Sequence, residues 1–223
     1  IGLKRKGNPN TFFLPEPSFE TVKVGSFIGD VRQGGSCNVE NWCISPHGNG
    51  THTECVGHIS TERVYISEIQ IPIIMNCIVL SVSIKGNSID PDELLSKLRK
   101  FKTPVDALAI RTYPNDKSKL SAQYSGSEPS FVGSEAVRII ADFKINHLLT
   151  DLPSLDSESS KDLPAHHISF GYPQNIHLNK RVTEMIFIPD ELSDGVYELN
   201  LQHLKVESDA SPSRPVIIKR ITF

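Results

Sequence analysis

Apolar residues fall at helical spacing in two stretches of the chain. In the first, Leu94, Leu95, Leu98 and Phe101 follow Asp90-Pro91-Asp92-Glu93. That opening sets a carboxylate cap, a proline at the first helical position and a glutamate at the third. In the second, residues 133–143, the stripe is Ala136, Val137, Ile140 and Ala141. Lys97, Arg99, Lys100 and Lys102 crowd the end of the first helix; they suit the negative end of a helix dipole, with a phosphate-binding patch as the competing reading. Aliphatic and β-branched runs predict strands over 64–66, 78–84, 107–112, 147–151, 183–188 and 197–201. Helices separate some of these strands and not others, which predicts an α/β fold with mixed β-sheets. Residues 153–164, rich in Ser, Asp, Glu and Lys, read as a surface loop that delivers the next segment.

Composition narrows the class. The chain has 223 residues, 38 % hydrophobic and 22 % charged, enough for one sizeable core and short for two ordinary domains. Its longest apolar stretch, 71–82, is interrupted by Pro72, Asn76, Cys77 and Ser81, so it reads as buried strand and no membrane partner is expected. Net charge is −3, which argues against the clustered cations of a nucleic-acid-binding surface. Cys37, Cys43, Cys55 and Cys77 include no Cys-x-x-Cys pair, so neither a disulfide scaffold nor a cysteine-only zinc site is expected. Residues 1–13 lack the apolar core of a signal peptide, and the expected compartment is cytoplasmic. Residues 1–20 are expected to be peripheral to a single domain.

The chemistry lies in the histidines. Of eight, three fall within twelve residues, His47, His52 and His58, together with Glu54. Imidazole nitrogen and carboxylate oxygen are the ligands a borderline divalent metal prefers, zinc or manganese foremost. Gly48 and Gly50 let the backbone fold tightly between His47 and His52. If the next residues are extended, His52, Glu54 and His58 share a side, while Cys55 points the other way as a small buried residue. Three ordinary histidines in a glycine-containing loop are the competing reading, and the density of three imidazoles and a carboxylate favours a metal. Asn49-Gly50-Thr51 also fits a glycosylation sequon. A second pair, His166-His167, follows the polar loop. Glu184 lies in the apolar segment 181–188, where a carboxylate is costly unless it is paired, metal-bound or facing water. His147, His177 and His203 lack such company and read as structural. Gly34-Gly35-Ser36-Cys37-Asn38 lacks the last glycine of a nucleophile elbow, which disfavours a serine hydrolase.

These motifs together resemble the cyclase family of metal-dependent hydrolases, and within it the arylformamidases. The likeness rests on Phe27-Ile28-Gly29-Asp30, on 38–47 ending in Ser45-Pro46-His47, and on Gly50-Thr51-His52-Thr53-Glu54 followed by His58. It continues through Ala107-Leu108-Ala109-Ile110-Arg111-Thr112, Asp151-Leu152-Pro153-Ser154-Leu155-Asp156, Ala165-His166-His167, Thr183-Glu184 and 194–199. It implies a single domain of barrel-like, swivelling β/β/α type, with mixed β-sheets and flanking helices. By resemblance, His47, His52, Glu54, His166 and Glu184 are metal ligands, with Glu54 bridging. His58 is the acid/base group and Phe27 lines the substrate pocket. The implied cofactor is Zn2+ or Mn2+, one or two ions per chain, and the implied assembly is a homodimer or larger. The implied reaction is hydrolysis of a non-peptide amide of the aryl-formamide type. Ring opening of a cyclic amide or lactone is one alternative, and a metal-binding relative without turnover is another. This chain departs from the family pattern at Glu54, where the family has Asp, at Ile28, at Cys55-Val56, by one residue inserted between His47 and His52, and by extra residues around Tyr172 and Pro173.

Overall fold

The computed structural model describes residues 1–102 and 104–219. Strands β1 (Ser18–Thr21), β2 (Lys23–Val24), β3 (Phe27–Ile28) and β4 (Glu40–Cys43) form two small antiparallel ribbons before the one-turn helix α1 (Pro46–Asn49). There follow β5 (His52–Glu54), β6 (Met75–Lys85), β7 (Ser88–Ile89), α2 (Pro91–Leu98), β8 (Ala107–Tyr113), α3 (Ser134–Asp142) and β9 (His147–Thr150). Helix α4 (Pro164–Phe170) and strands β10 (Arg181–Glu184), β11 (Gly195–His203) and β12 (Ala210–Ile218) complete the chain. Among the described residues, no helix is long and apolar enough to cross a membrane.

Seven strands close on themselves in the order β11-β12-β5-β10-β9-β8-β6 and back to β11. β6, β8, β9 and β10 run parallel, and the remaining pairings are antiparallel. Each parallel step is bridged by one helix, α2, α3 and α4 in turn, as a parallel connection requires. The result is the expected mixed, barrel-like α/β fold with flanking helices.

Two apolar sets alternate along the strands. Ile78, Leu80, Val82, Leu108, Ile110, Leu148 and Val182 meet Leu94 and Leu98 of α2, Val137 and Ile140 of α3, and Ala165 and Phe170 of α4. Met75, Cys77, Val79, Ala107, Ala109, Leu149, Leu199 and Leu201 form the other cluster, inside the ring. Strands buried on both faces read as continuous apolar runs, which is why 78–84 and 107–112 are legible in the sequence. The α2 start is also as expected, with the Asp90 carboxylate accepting from the backbone of Asp92 and Glu93. Lys97 donates to the Ser81 carbonyl at 2.6 Å and pairs with Glu93 at 2.8 Å, which ties the basic helix end to the sheet.

Other expectations are corrected. Residues 64–66 form no strand; Ile66 opens a one-turn helix (Ile66–Glu68), buried and held by the Ser208 carbonyl. β10 ends at Glu184, because Met185 takes φ 52° and donates to the Leu152 carbonyl instead of extending the ladder. The loop over 153–164 begins buried at Ser154, Leu155 and Asp156, and Pro164 already belongs to α4. β12 escapes the pattern because Pro212, Ser213, Arg214 and Pro215 interrupt its apolar residues. The opening segment is tied to the body by Asn10, which exchanges backbone bonds with Ala122 and Tyr124.

Candidate metal centre

β5 is the foundation of the site. Alternation along a strand puts His52 and Glu54 on one face and Thr53 on the other. Its antiparallel neighbours place Glu184 of β10 opposite His52, and Ala210 of β12 opposite Glu54. This is the outer face of the barrel wall, under α4, where Val182 joins Ala165 and Phe170 in the outer core. α1 supplies His47, α4 supplies His166, and the one-turn helix Val56–His58 supplies His58. Gly57 is required there by close approach: a Cβ would stand 2.0 Å from the Val64 carbonyl oxygen.

The six predicted residues other than Phe27 converge. Glu54 is at the centre, fully buried, with Oε2 3.3 Å from His47 Nδ1 and 3.8 Å from His58 Nε2, and Oε1 3.3 Å from His166 Nε2. Glu184 lies 3.4 Å from His52 Nε2 and 3.8 Å from His166 Nε2. The imidazoles of His47 and His58 stack at 4.2 Å between centroids, with His52 4.9 Å from His47 and His166 5.3 Å from His58. Phe27 lies apart on its ribbon, 36 % exposed, and among the described residues makes no ring contact with the imidazoles.

His47, His52 and His166 each have one ring nitrogen tied down. His52 Nδ1–H donates to the Gly50 carbonyl at 3.0 Å. His47 Nε2–H donates to Asp209 Oδ2 at 2.7 Å, and His166 Nδ1–H to Asp156 Oδ2 at 2.7 Å. The free nitrogens all face Glu54 or Glu184. Partners on the outer nitrogen are the usual device for orienting metal-ligating histidines. Asp156 also accepts from the backbone N–H groups of Ala165 and His166, so it fixes the first turn of α4 together with the ring. Glu184 is held by the Leu155 N–H at 3.1 Å.

The electrostatics agree with a cation site. Burial alone lowers the pKa of His47, but the carboxylates of Asp209 and Glu54 outweigh it and raise it to about 10. Burial likewise opposes the charge on His166, and Glu54, Asp156 and Glu184 raise it to about 10. Burial disfavours the Glu54 anion, yet the surrounding imidazoles, His58 foremost, hold its carboxyl well below the usual range. Three buried atoms, His52 Nε2, Glu54 Oε1 and Glu54 Oε2, have no hydrogen-bond partner. Buried polar atoms are rarely left unpaired, and a metal bound among these groups would supply the missing partners. Three groups, His47/His52/Glu54, Glu54/His58/His166 and His47/His58/Asp209, each bring ligand atoms close enough to hold a metal ion.

Two members of the cluster receive no role from the sequence, although Asp156 closes the 151–156 motif of the family resemblance. Asp209 sits in the polar run Ser208-Asp209-Ala210-Ser211, and only the β12–β5 pairing brings it to His47 and His58. Asp156 lies ten residues before the ring it orients. His147 is buried, as expected of a structural histidine, with Nε2 2.7 Å from Thr183 Oγ1.

The chain belongs to the cyclase family: the family model described as "Putative cyclase" matches residues 6–157. Kynurenine formamidase of Delftia acidovorans is 26 % identical over 200 residues, covering 89 % of this chain and 88 % of its own. The enzyme of the same name from Bacillus thuringiensis is 28 % identical over 196 residues, covering 83 % and 82 %. Among solved structures, a potential metal-dependent hydrolase with cyclase activity superposes with a TM-score of 0.73 at 17 % identity, over 100 % of this chain and 96 % of that one. Isatin hydrolase A from Labrenzia aggregata shares the fold at a TM-score of 0.67 and 17 % identity, over 97 % and 91 %.

Proposed function

We propose that this protein is a metal-dependent hydrolase that cleaves a non-peptide amide C–N bond of the aryl-formamide type. The observation that carries this reading is the trio of buried atoms without partners, on His52 and Glu54, inside a ring of imidazoles whose other nitrogens are tied down. His47, His52, Glu54, His166 and Glu184 would hold the metal, zinc or manganese, with the two Glu54 oxygens turned toward different imidazoles. A divalent cation bound there supplies Lewis acidity and lowers the pKa of water from ~16 toward ~7.

The chain's own groups do the rest. His58 presents Nε2 to the centre and is 26 % exposed at its side chain, on the open side of the cluster. An imidazole accepts and donates a proton near neutral pH. His58 therefore takes the proton of the attacking water and delivers it to the leaving nitrogen as the C–N bond breaks, which releases formate and the amine. Glu184, fixed by the Leu155 N–H, keeps His52 and His166 in register. Phe27 belongs to the substrate pocket by family resemblance alone, since in this chain it lies apart from the cluster. The family resemblance further supports a homodimer or larger assembly, and a cytoplasmic location belongs to the same proposal.

The same groups serve ring opening of a cyclic amide, and the fold shared with isatin hydrolase favours keeping that as the second reading. Elemental analysis of protein purified without added metal, followed by hydrolysis assays on formamides, cyclic imides and lactones, tests both. Bound zinc or manganese with formamide turnover is the expected result. Metal-free protein that stays inactive after zinc or manganese is supplied overturns the proposal.

A further inference from the structure

Asp209 stands where β12 begins to run beside β5. Its carbonyl accepts the Cys55 N–H at 3.0 Å, and the next residue, Ala210, pairs with Glu54. The backbone of Asp209 is thus fastened to the strand that carries the central carboxylate. From there its side chain reaches the two imidazoles on the open side of the cluster. One oxygen, Oδ2, lies 2.7 Å from His47 Nε2 and 3.2 Å from His58 Nδ1. Asp209 and Glu54 take opposite ring nitrogens of both histidines, since His47 Nδ1 and His58 Nε2 are the atoms that face Glu54.

This arrangement dictates where the ring protons are. An ionised carboxylate only accepts hydrogen bonds, so the ring nitrogens facing Asp209 must carry hydrogen. The nitrogens left over, His47 Nδ1 as the one a cation would take once it displaces the proton there and His58 Nε2 as the one that can exchange a proton, both aim at the same centre. The 4.2 Å stacking of the two rings holds them side by side over the shared oxygen. A carboxylate behind a catalytic imidazole selects its tautomer and steadies the cation that forms. A carboxylate behind a ligating imidazole sets ring orientation and basicity.

We propose that Asp209 is a positioning residue that performs both tasks with one oxygen, so that the ligand His47 and the acid/base His58 are set by a single side chain. The proposal deepens the hydrolase reading above and rests on it for the roles of the two histidines. It makes the start of β12, far from the histidine motif in sequence, part of the working site.

The test uses the full chain, wild type and with Asp209→Asn, His58→Ala and the two combined. In metal-free wild-type protein, ring 15N NMR of labelled histidines is expected to show exchange-protected protons on His47 Nε2 and His58 Nδ1, both lost in Asp209→Asn. Zinc affinity, read by competition with a chelator, is expected to weaken about 10- to 100-fold in Asp209→Asn with the number of ions bound at saturation unchanged. In zinc-saturated protein, kcat on formanilide is expected to fall at least about tenfold with KM little changed, and to fall no further when Asp209→Asn is added to His58→Ala. A wild-type His58 that is unprotonated at Nδ1 overturns the proposal, whatever the variants do. So does an Asp209→Asn loss of kcat that is undiminished in the His58→Ala background, or the disappearance of one whole zinc equivalent, which would make Asp209 a ligand. Failure of the hydrolase reading looks different: the wild type binds no metal, while the ring signals still decide the place of Asp209.

Discussion

Strands β5 and β10 carry two unlike chemistries on their two faces. Toward α4 they present His52, Glu54 and Glu184, imidazole and carboxylate groups with three buried atoms left unpaired. Toward the barrel interior they present Thr53 and Thr183, whose hydroxyls meet at 2.8 Å, with Ser213 2.8 Å from Thr53 and His147 Nε2 2.7 Å from Thr183. Hydroxyls donate and accept, so the inner hydroxyls partner one another and His147 Nε2, with His147 Nδ1 the atom left over. Carboxylates only accept, and imidazoles with one nitrogen engaged offer a lone pair. The outer face therefore gathers carboxylates around imidazoles that hold protons in the absence of metal, and a divalent cation is a partner that can take the place of those protons. Adjacent residues of one short strand differ in this way because the pleat sends them to opposite sides.

Substitutions on the two faces should separate these roles. The largest effect is expected from Glu54→Ala, which removes the carboxylate common to two of the three candidate ligand groups. Bound zinc should drop below detection by elemental analysis and formamide hydrolysis should vanish, whereas Thr53→Val should retain zinc; equal metal loss in both breaks the contrast. Stripping the metal from the wild type comes next. Zinc at about 1,000 times its Kd stabilises by ~4 kcal/mol, so chelation should lower Tm by roughly 8–16 °C for a chain of this size, and a Tm that ignores chelator argues against the site.

Outer partners should matter less than ligands. Asp156→Asn keeps an acceptor for α4 but removes the charge behind His166, and zinc affinity should fall about 10- to 100-fold. The pH dependence has a definite sign. His47 and His166, with pKa values raised to about 10, hold protons that a metal must displace. Zinc affinity should therefore rise with pH, by at least about tenfold from pH 6 to 8, and a flat profile measured by chelator competition contradicts the charge assignment. Smallest is Thr183→Val. It leaves His147, whose Nδ1 is already unpaired, without its remaining partner. A loss of ~1–3 kcal/mol in denaturant unfolding is expected, with zinc stoichiometry unchanged.

Legibility in the sequence followed physical locality. α2 announced itself because its cap, first-turn proline and apolar stripe lie within twelve residues, and β6 and β8 because burial on both faces leaves unbroken apolar runs. Helix α4 did not, since it has only seven residues and its cap comes from Asp156, outside the helix. Of the site, the His47–His58 stretch was readable from density, while parity held for His52 and Glu54 and failed for His58, which the one-turn helix Val56–His58 carries instead of an extended strand. Glu184 was ambiguous on local grounds, and His166 and Glu184 gained their roles through family resemblance. Asp209 was invisible: a polar residue before a proline-interrupted strand resembles any surface loop.

The amino-acid order by itself determined which residues share a face and where a strand or helix can start, because side-chain direction and capping are set within a few bonds. Only the tertiary structure decided which strands became neighbours. The ladder that puts Glu184 beside His52, and Ala210 beside Glu54, joins positions more than 100 residues apart. Such registers depend on the closure of the whole seven-strand ring, since each strand takes its place only when both of its neighbours are present.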